Sequence, residues 1–271
     1  MEFGCSTLLY GSHSLQDALD GIHRAGFKAI ELCAITGMAE HLTPVMLENP
    51  DALAQVKELA QSRDLAIESI GASMNLLDDS APKRVQALSQ AASWIGVPAL
   101  TTGTGGRTGD EASFEAVVAA LKRLTPILLD AGVKLSLKPH VGAAMHNTET
   151  AIRLMEMVDT RAVGLNVDAS HLWRTPVPET PEETIPRLLP WLVTARIRDT
   201  LSHEQPIGPV ETQIPGGGAM NLAAVIRVFE SKPGLKCVTL EIVGTHSGWE
   251  LSKVDAVVSE CYRKLEALRE S

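Results

Sequence analysis

Short apolar runs alternate with longer amphipathic segments along the whole chain of 271 residues. Eight of these runs predict strands, at 3–10, 29–34, 65–73, 99–105, 134–140, 163–170, 193–199 and 237–243. After each run, apolar residues recur near i, i+3, i+4 and i+7, which is the stripe of a helix that packs one face on a sheet. The predicted helices cover 14–26, 49–64, 81–96, 113–132, 148–159, 181–192, 221–234 and 252–270.

Strand–helix alternation repeated eight times predicts an α/β protein with one closed (β/α)8 barrel, a single domain over 1–271. A doubly wound open sheet fits less well, because no G-x-G-x-x-G follows the first strand. Several predicted helices begin at residues suited to N-capping or end at glycine, as expected for their boundaries (Ser14, Ser113 and Asn221; Gly26, Gly96, Gly132 and Gly234).

Composition excludes some classes of protein. The net charge of −9 argues against a nucleic-acid partner, which needs a positive surface. The four cysteines have no CxxC spacing, so we expect buried free thiols in a reducing compartment. The start has no basic n-region, and no stretch of about 18 apolar residues occurs. We therefore expect a cytoplasmic protein without a membrane segment.

The last four predicted strands each end in a charged residue: Lys138, Asp168, Arg196 and Glu241. In a parallel barrel, the C-terminal ends of the strands converge on one mouth, where active sites lie. The longest loops, at 35–48, 103–111, 172–182 and 200–219, would lie at the same mouth. The sequence therefore predicts a charged functional site there.

Asp168, His171 and Glu241 are candidates for acid–base chemistry or metal binding. A carboxylate and an imidazole three residues apart could also be a helix cap and a surface histidine. Glu241 interrupts an apolar strand, where a buried carboxylate is costly unless it is paired. A structural salt bridge is its alternative interpretation.

Lys138 and His140 lie two residues apart in LKPH, so both would point the same way if the strand continued. Lys138 could bind an oxyanion, phosphate or carboxylate, could form a Schiff base, or could merely neutralise Glu241 or Asp168.

Arg196 and Arg198 are expected on one face of their strand, with Asp199 on the other. Either arginine could bind an anionic group of a substrate or pair with neighbouring acids. Trp173 could wall a substrate pocket. The glycine-rich segments at 103–111 and 214–221 could hold an anion, or could simply form turns.

LKPH, NVDASH, RIRD, PGGGAMN and LEIVG, in this order, resemble the xylose-isomerase-like TIM barrels, the sugar (phosphate) isomerase and epimerase superfamily. The resemblance covers nearly the whole chain. It implies a divalent Mn-, Mg- or Co-type ion held by Glu, Asp, His and Glu at the ends of strands 5 to 8. It also implies proton transfer through an enediolate, with His171 on the substrate.

Two of these four ligands are replaced, since Lys138 stands where the family has Glu and Arg196 where it has His. A cation beside two protonated cationic groups is repelled by about 4 kcal/mol per unit-charge pair at ~4 Å. We therefore expect no cofactor and no metal at the family's quartet. A divalent metal at a shifted site of His140, Asp168, His171 and Glu241 is the alternative.

The resulting hypothesis is an isomerase or epimerase, or else a lyase, of carbohydrate metabolism. Glu241, Asp168 and Lys138 would be catalytic, and His171, Arg196, His140, Arg198 and Trp173 would bind substrate. The substrate would be small, polyhydroxylated and either neutral or anionic. A non-catalytic binding or partner protein is the alternative, whereas an apurinic-site nuclease fits poorly. Homo-oligomers are common in the resembling family, but the sequence shows no interface pattern.

Overall fold

Eight parallel strands form a closed barrel in the computed structural model, which describes residues 1–203 and 206–271. Each strand pairs with the next, and the eighth pairs with the first. The strands are β1 (Glu2–Ser6), β2 (Ala29–Ile35), β3 (Ala66–Gly71), β4 (Ala99–Gly103), β5 (Lys134–Lys138), β6 (Val163–Asp168), β7 (Leu192–Ile197) and β8 (Cys237–Leu240). The predicted (β/α)8 barrel is confirmed.

Helices follow the strands in the predicted order. They are α1 (Leu15–Ala25), α2 (Pro50–Gln61), α3 (Ala81–Ile95), α4 (Glu111–Ala131), α5 (Thr148–Met157), α6 (Pro181–Thr184), α7 (Leu222–Glu230) and α8 (Leu251–Glu270). The loops after β2, β6 and β7 carry short helices at Pro44–Leu47, Ala169–Trp173 and Val210–Gln213, and Ala39–Glu40 pairs antiparallel with β2. No helix in the described ranges has the length and apolarity needed to cross a membrane.

Some predicted boundaries were wrong for local reasons. The first strand ends at Ser6, whose hydroxyl accepts from the Leu8 amide and begins a 3-10 helix at Thr7–Tyr10. Helix α4 is capped by Asp110 rather than by Ser113, since the Asp110 carboxylate accepts from the Ser113 amide. Ser14 and Asn221 are N-caps as predicted.

The segment predicted as a helix over 181–192 is broken. Only α6 is α-helical, and it is followed by 3-10 turns at Ile185–Arg187 and Leu189–Trp191. Pro186 and Pro190 cause the break, because proline lacks the amide that an α-helix needs. Similarly, α7 ends before Ser231, so Gly234 lies in the following turn instead of capping the helix.

The apolar core lies between the barrel and its helices, whereas the barrel interior is polar. Glu31 faces inward on β2, so its neighbours Ile30 and Leu32 face the helix layer, and both are buried. Barrel interiors are usually filled by Val, Ile and Leu. Here the interior holds buried polar side chains from successive strands, among them Ser6, Glu31, Ser69, Thr101, Ser136, Thr194, Arg196 and Thr239.

The four cysteines are buried free thiols, as predicted. The predicted loop at 200–219 includes Glu204 and Gln205, which lie outside the described residues.

Candidate functional site

A cavity of about 640 Å³ opens at the C-terminal ends of the strands. It receives charged or imidazole side chains from β2 and β5 and from the segments after β5, β6, β7 and β8. These are Glu31, Lys138, His140, His171, Arg174, Arg198 and Glu241. Most of the residues predicted for the site therefore meet at one place, although their depth in the barrel differs.

Lys138 and Glu241 form the closest ion pair at the cavity wall. The Lys138 ammonium donates to both carboxylate oxygens of Glu241, at 2.7 and 2.8 Å, and lies 3.7 Å from Asp168 Oδ2. Burial alone would raise the pKa of Glu241, but the charges of Lys138 and Arg198 outweigh it and hold the pKa below its usual range. Glu241 is therefore a carboxylate at neutral pH.

Asp168 lies behind the cavity wall, where neighbouring groups saturate its carboxylate. Oδ1 accepts from the amide and hydroxyl of Ser170, at 3.0 and 2.7 Å, and Oδ2 accepts from Arg198 at 3.0 Å. Burial alone would raise the pKa of Asp168, but Arg198, His171 and Lys138 hold it well below its usual value. Asp168 is not among the described residues that line the cavity. It caps the helix Ala169–Trp173 and positions the cations.

Arg198 connects Asp168 to His171. Its guanidinium donates to the Ser170 hydroxyl at 2.8 Å and to His171 Nε2 at 2.8 Å. Arginine can only donate, so Nε2 of His171 accepts. Burial holds the pKa of His171 well below its usual value, and the ring is therefore neutral at pH 7. We call Lys138, Asp168, His171, Arg198 and Glu241 the mouth cluster.

His140 stacks against His171, with ring centroids 4.1 Å apart. Its Nδ1 lies 2.8 Å from the carbonyl oxygen of Val141, which can only accept, so Nδ1 carries the proton and Nε2 keeps the lone pair. Desolvation by the surrounding cavity wall, and then the charge of Lys138, lower the pKa of His140, even though part of its surface is exposed. His140 thus presents a neutral imidazole, the form that can act as a general base.

Arg196 lies deeper than the sequence suggested. It is fully buried inside the barrel and is absent from the described lining of the cavity. Its guanidinium donates to Glu31, to Glu68 at 2.9 Å and to the Ser69 hydroxyl at 3.0 Å, and its Nε is 3.5 Å from Glu241. Burial raises the pKa of Glu68. Arg196, Glu31 and Glu68 form what we call the interior cluster, and the predicted substrate-binding residue Arg196 is therefore not part of the described cavity lining.

Trp173 does not wall the cavity either. It stacks on His203 at 4.3 Å between ring centroids, and its carbonyl oxygen accepts from His203 Nδ1 at 2.7 Å. The structure thus places Trp173 between the loops after β6 and β7, outside the described lining of the cavity.

The glycine-rich entry to α7 binds a carboxylate of the chain itself. Asp199 accepts from the amides of Gly216 and Met220, at 2.9 and 3.2 Å, as well as from that of Thr200 at 2.8 Å. A side chain on Gly218 would collide with Asp199. This segment is therefore an internal turn rather than an anion site for a ligand.

A comparison with protein families identifies the fold more specifically. Residues 19–257 match the model of the xylose isomerase-like TIM barrel. The chain belongs to this family. No curated protein sequence matches it.

Solved structures agree on the fold at low sequence identity. The probable 3-DHS dehydratase AsbF from Bacillus anthracis superposes with a TM-score of 0.79 at 16% identity, over 99% of this chain and 98% of that one. D-psicose 3-epimerase from Clostridium cellulolyticum H10 gives 0.73 at 13%, over 100% and 97%. The IOLI protein, in a structure with a zinc atom, gives 0.76 at 17%, over 99% and 98%.

The family's divalent metal does not fit the residues present. The Lys138 ammonium lies between the two carboxylates that remain of the quartet, and Arg198 donates to one of them. Both groups are cations that offer no lone pair to a metal. Within 1–203 and 206–271, no three His, Cys, Asp or Glu side chains are grouped to hold a metal ion, so the shifted set of His140, Asp168, His171 and Glu241 does not form a ligand cage.

Sequence reasoning missed two residues of this region. Glu68 is an acid within the apolar strand β3, and the same signal had drawn attention to Glu241. Asn166 lines the cavity two residues before Asp168, on the same face of β6, and its Oδ1 has no hydrogen-bond partner among the described residues. The two-residue period of the strand would have indicated it.

Proposed function

We propose that the chain is an isomerase or epimerase that moves a proton next to the carbonyl group of a small hydroxylated substrate, without the family's divalent metal. The observation that carries the proposal is the Lys138 ammonium, held by Glu241 at the wall of the cavity. A fixed cation that faces a developing oxyanion stabilises it electrostatically, and this is a task that metal ions perform elsewhere.

In the proposed reaction, the substrate carbonyl oxygen accepts a hydrogen bond from Lys138. His140 Nε2 removes the proton from the neighbouring carbon. The electron pair of that C–H bond forms a carbon–carbon double bond, and the π pair of the carbonyl moves to its oxygen to give an enediolate. If a proton from water is delivered to the same carbon on the other face, and protonated His140 releases its proton to water, the product is the epimer. If protonated His140 instead gives its proton to the adjacent carbon, and the proton of the neighbouring hydroxyl moves to the former carbonyl oxygen, the product is the isomer. Glu241 also lines the cavity, and as a carboxylate it is the alternative base.

The other predicted site residues take supporting roles in this proposal. Asp168 and Arg198 hold Lys138 and His171 in position. The ring nitrogens of His171 face Arg198 and a backbone amide, so His171 supports the neighbouring His140 ring rather than bonding a substrate hydroxyl. Lys138 and Arg198 already have carboxylate partners, so the site does not require an anionic group on the substrate.

Solvent exchange tests the proposal directly. Incubation of the protein in D2O with ketoses, sugar acids and sugar phosphates should replace the hydrogen next to one carbonyl by deuterium, as followed by NMR. Exchange should persist after exhaustive chelation and should be lost in Lys138→Met. Deuterium exchange that appears only when Mn²⁺, Mg²⁺ or Co²⁺ is added back would refute the proposal that the reaction needs no divalent metal.

A non-catalytic binding protein is the second candidate, favoured by the complete pairing of the mouth cluster. It predicts ligand binding to the cavity without deuterium exchange for any member of the panel. Binding that survives Lys138→Met would favour this candidate further.

A further inference from the structure

The walls of the cavity have opposite chemical characters. The side formed by the ends of β5 to β8 carries the mouth cluster and His140. A second part of the lining, from residues after β1, from the end of β2 onward and from later residues of the segments after β7 and β8, is apolar. Its side chains are Leu8, Ile35, Met38, Ile207 and Val243. A polyol bound at the charged wall finds no hydrogen-bonding side chain among these five.

The apolar wall continues into an open groove of about 580 Å³. Met38, Ile207 and Val243 line both the cavity and the groove, so the two spaces adjoin along these side chains. Farther from the mouth cluster, the groove is lined by Pro209, Val210 and Trp249. A ligand that extends from Lys138 past Val243 would therefore meet apolar surface.

The polar side chains of the groove are engaged with the backbone. The Gln213 amide donates to the carbonyl oxygens of Gly208 and Val243, at 2.8 and 2.9 Å, and accepts from the Val243 amide at 3.0 Å. His246 Nδ1 accepts from the amide of Gly244 at 3.2 Å. Among the described residues of the groove lining, Glu211 is the one charged side chain, and it is exposed.

We infer that the substrate is amphiphilic, with a hydroxyketone head at Lys138 and an apolar group, aryl or short alkyl, in the groove. The position of the head rests on the proposed function. A cavity of about 640 Å³ already falls within the ~300–1,000 Å³ that takes a drug-sized ligand. Together with the adjoining groove, the cavity has a larger volume than a sugar of three to six carbons occupies. The surface of the groove is apolar and favours contact with apolar groups over hydroxyl groups.

Two probes with the same head test this inference. Dihydroxyacetone and 2-hydroxyacetophenone share a hydroxymethyl ketone, but only the second carries a phenyl group. Their Kd values for the purified protein can be measured by NMR titration. We expect 2-hydroxyacetophenone to bind at least tenfold more tightly than dihydroxyacetone.

Substitution of the shared wall locates the effect. Ile207→Asp, in a half-buried loop position, should bring the ratio of the two Kd values close to one and leave dihydroxyacetone binding unchanged. Ile207→Leu should keep the ratio. Val177→Asp makes the same change of chemistry at an exposed residue outside both spaces and should also keep it.

Equal binding of the two probes by the unsubstituted protein would overturn the inference. An Ile207→Asp variant that weakens both probes alike, or neither, would overturn it as well. The binding ratio does not depend on turnover. Failure of the proposed function, seen as absence of deuterium exchange, is therefore distinguishable from failure of the amphiphilic substrate.

Discussion

The interior cluster and the mouth cluster are built from the same kinds of side chain, a few ångströms apart, yet they differ in what they can do. Arg196 is fully buried in the barrel and does not line the cavity, although its partner Glu31 does. Lys138 is also largely buried, but it and Glu241 line a cavity that a ligand can enter. A charged residue near a strand end is therefore a functional candidate only when it lies close enough to the mouth of the barrel for its side chain to reach the cavity.

The largest expected effect is on stability, from Arg196→Met. Removal of the guanidinium leaves Glu31 and Glu68 buried without a cation, and orphaning a buried charge costs about 3–5 kcal/mol. The raised pKa of Glu68 lets one of the acids take up a proton, which should place the loss toward the lower end of that range. Denaturant unfolding at pH 7 measures it.

Arg161→Met is the matched control, because it removes an arginine from an exposed pair with Asp159. Exposed pairs contribute little, so this variant should unfold like the parent protein. If Arg196→Met also unfolded like the parent protein, the interior cluster would not be structural.

Lys138→Met should mainly impair catalysis. Loss of a preorganised donor to an oxyanion lowers turnover by roughly 10²–10³-fold. The stability loss should be smaller than for Arg196→Met, because Glu241 borders the cavity and water can solvate it. The exchange rate in D2O and the unfolding free energy, measured on one preparation, check both parts.

The opposite result for Lys138→Met would reverse the roles of the two clusters. A large stability loss with unchanged exchange would make the mouth cluster structural. Lys138→Arg keeps the positive charge and serves as the control for charge alone.

His140→Gln should lower the exchange rate by about 10²-fold, at the low end for loss of a general base. Binding of substrate should change little, because glutamine preserves a polar side chain of similar reach. The acid limb of the pH–rate profile should also disappear in the variant. An acid limb that persists unchanged would assign the base to Glu241.

As the pH is lowered, the mouth cluster should lose its contribution to stability at a higher pH than the interior cluster does. Burial lowers the pKa values of His140 and His171, so both histidines are neutral in the folded protein and take up protons more readily when unfolded. Their contribution to stability is fully present above the unfolded pKa of about 6.5 and is lost as pH falls toward their folded pKa values. Asp168 and Glu241, whose pKa values are also lowered, follow below about pH 4.

Unfolding free energies from pH 8 to 5 should therefore decline, and the decline should be shallower in His171→Gln. The interior cluster contains no histidine, and the raised pKa of its Glu68 acts in the opposite direction, because a group that binds its proton more tightly when folded adds stability as pH falls. A slope unaffected by the substitution would mean that His171 does not titrate on unfolding.

The sequence predicted the barrel well because strand and helix periodicities are local properties. It placed Lys138, His140, His171, Arg198 and Glu241 at one site for the same reason, since each lies at or just after a strand end. It could not separate Arg196 from Arg198, because both have the same strand parity and only their depth in the barrel distinguishes them. Glu68 was missed because its partner Arg196 lies 128 residues away in sequence.

The smallest expected effect is that of Trp173→Phe, which tests the corrected position of this residue. Trp173 stacks on His203 outside the described cavity lining, so the exchange rate should stay within about twofold. Its buried indole N–H has no partner among the described residues, and replacement of an unsatisfied polar group by an apolar one is neutral or stabilising. The melting temperature should therefore hold or rise slightly. A loss of binding for both hydroxyketone probes would instead return Trp173 to the wall of the site, because phenylalanine preserves the aromatic stacking and removes only the indole.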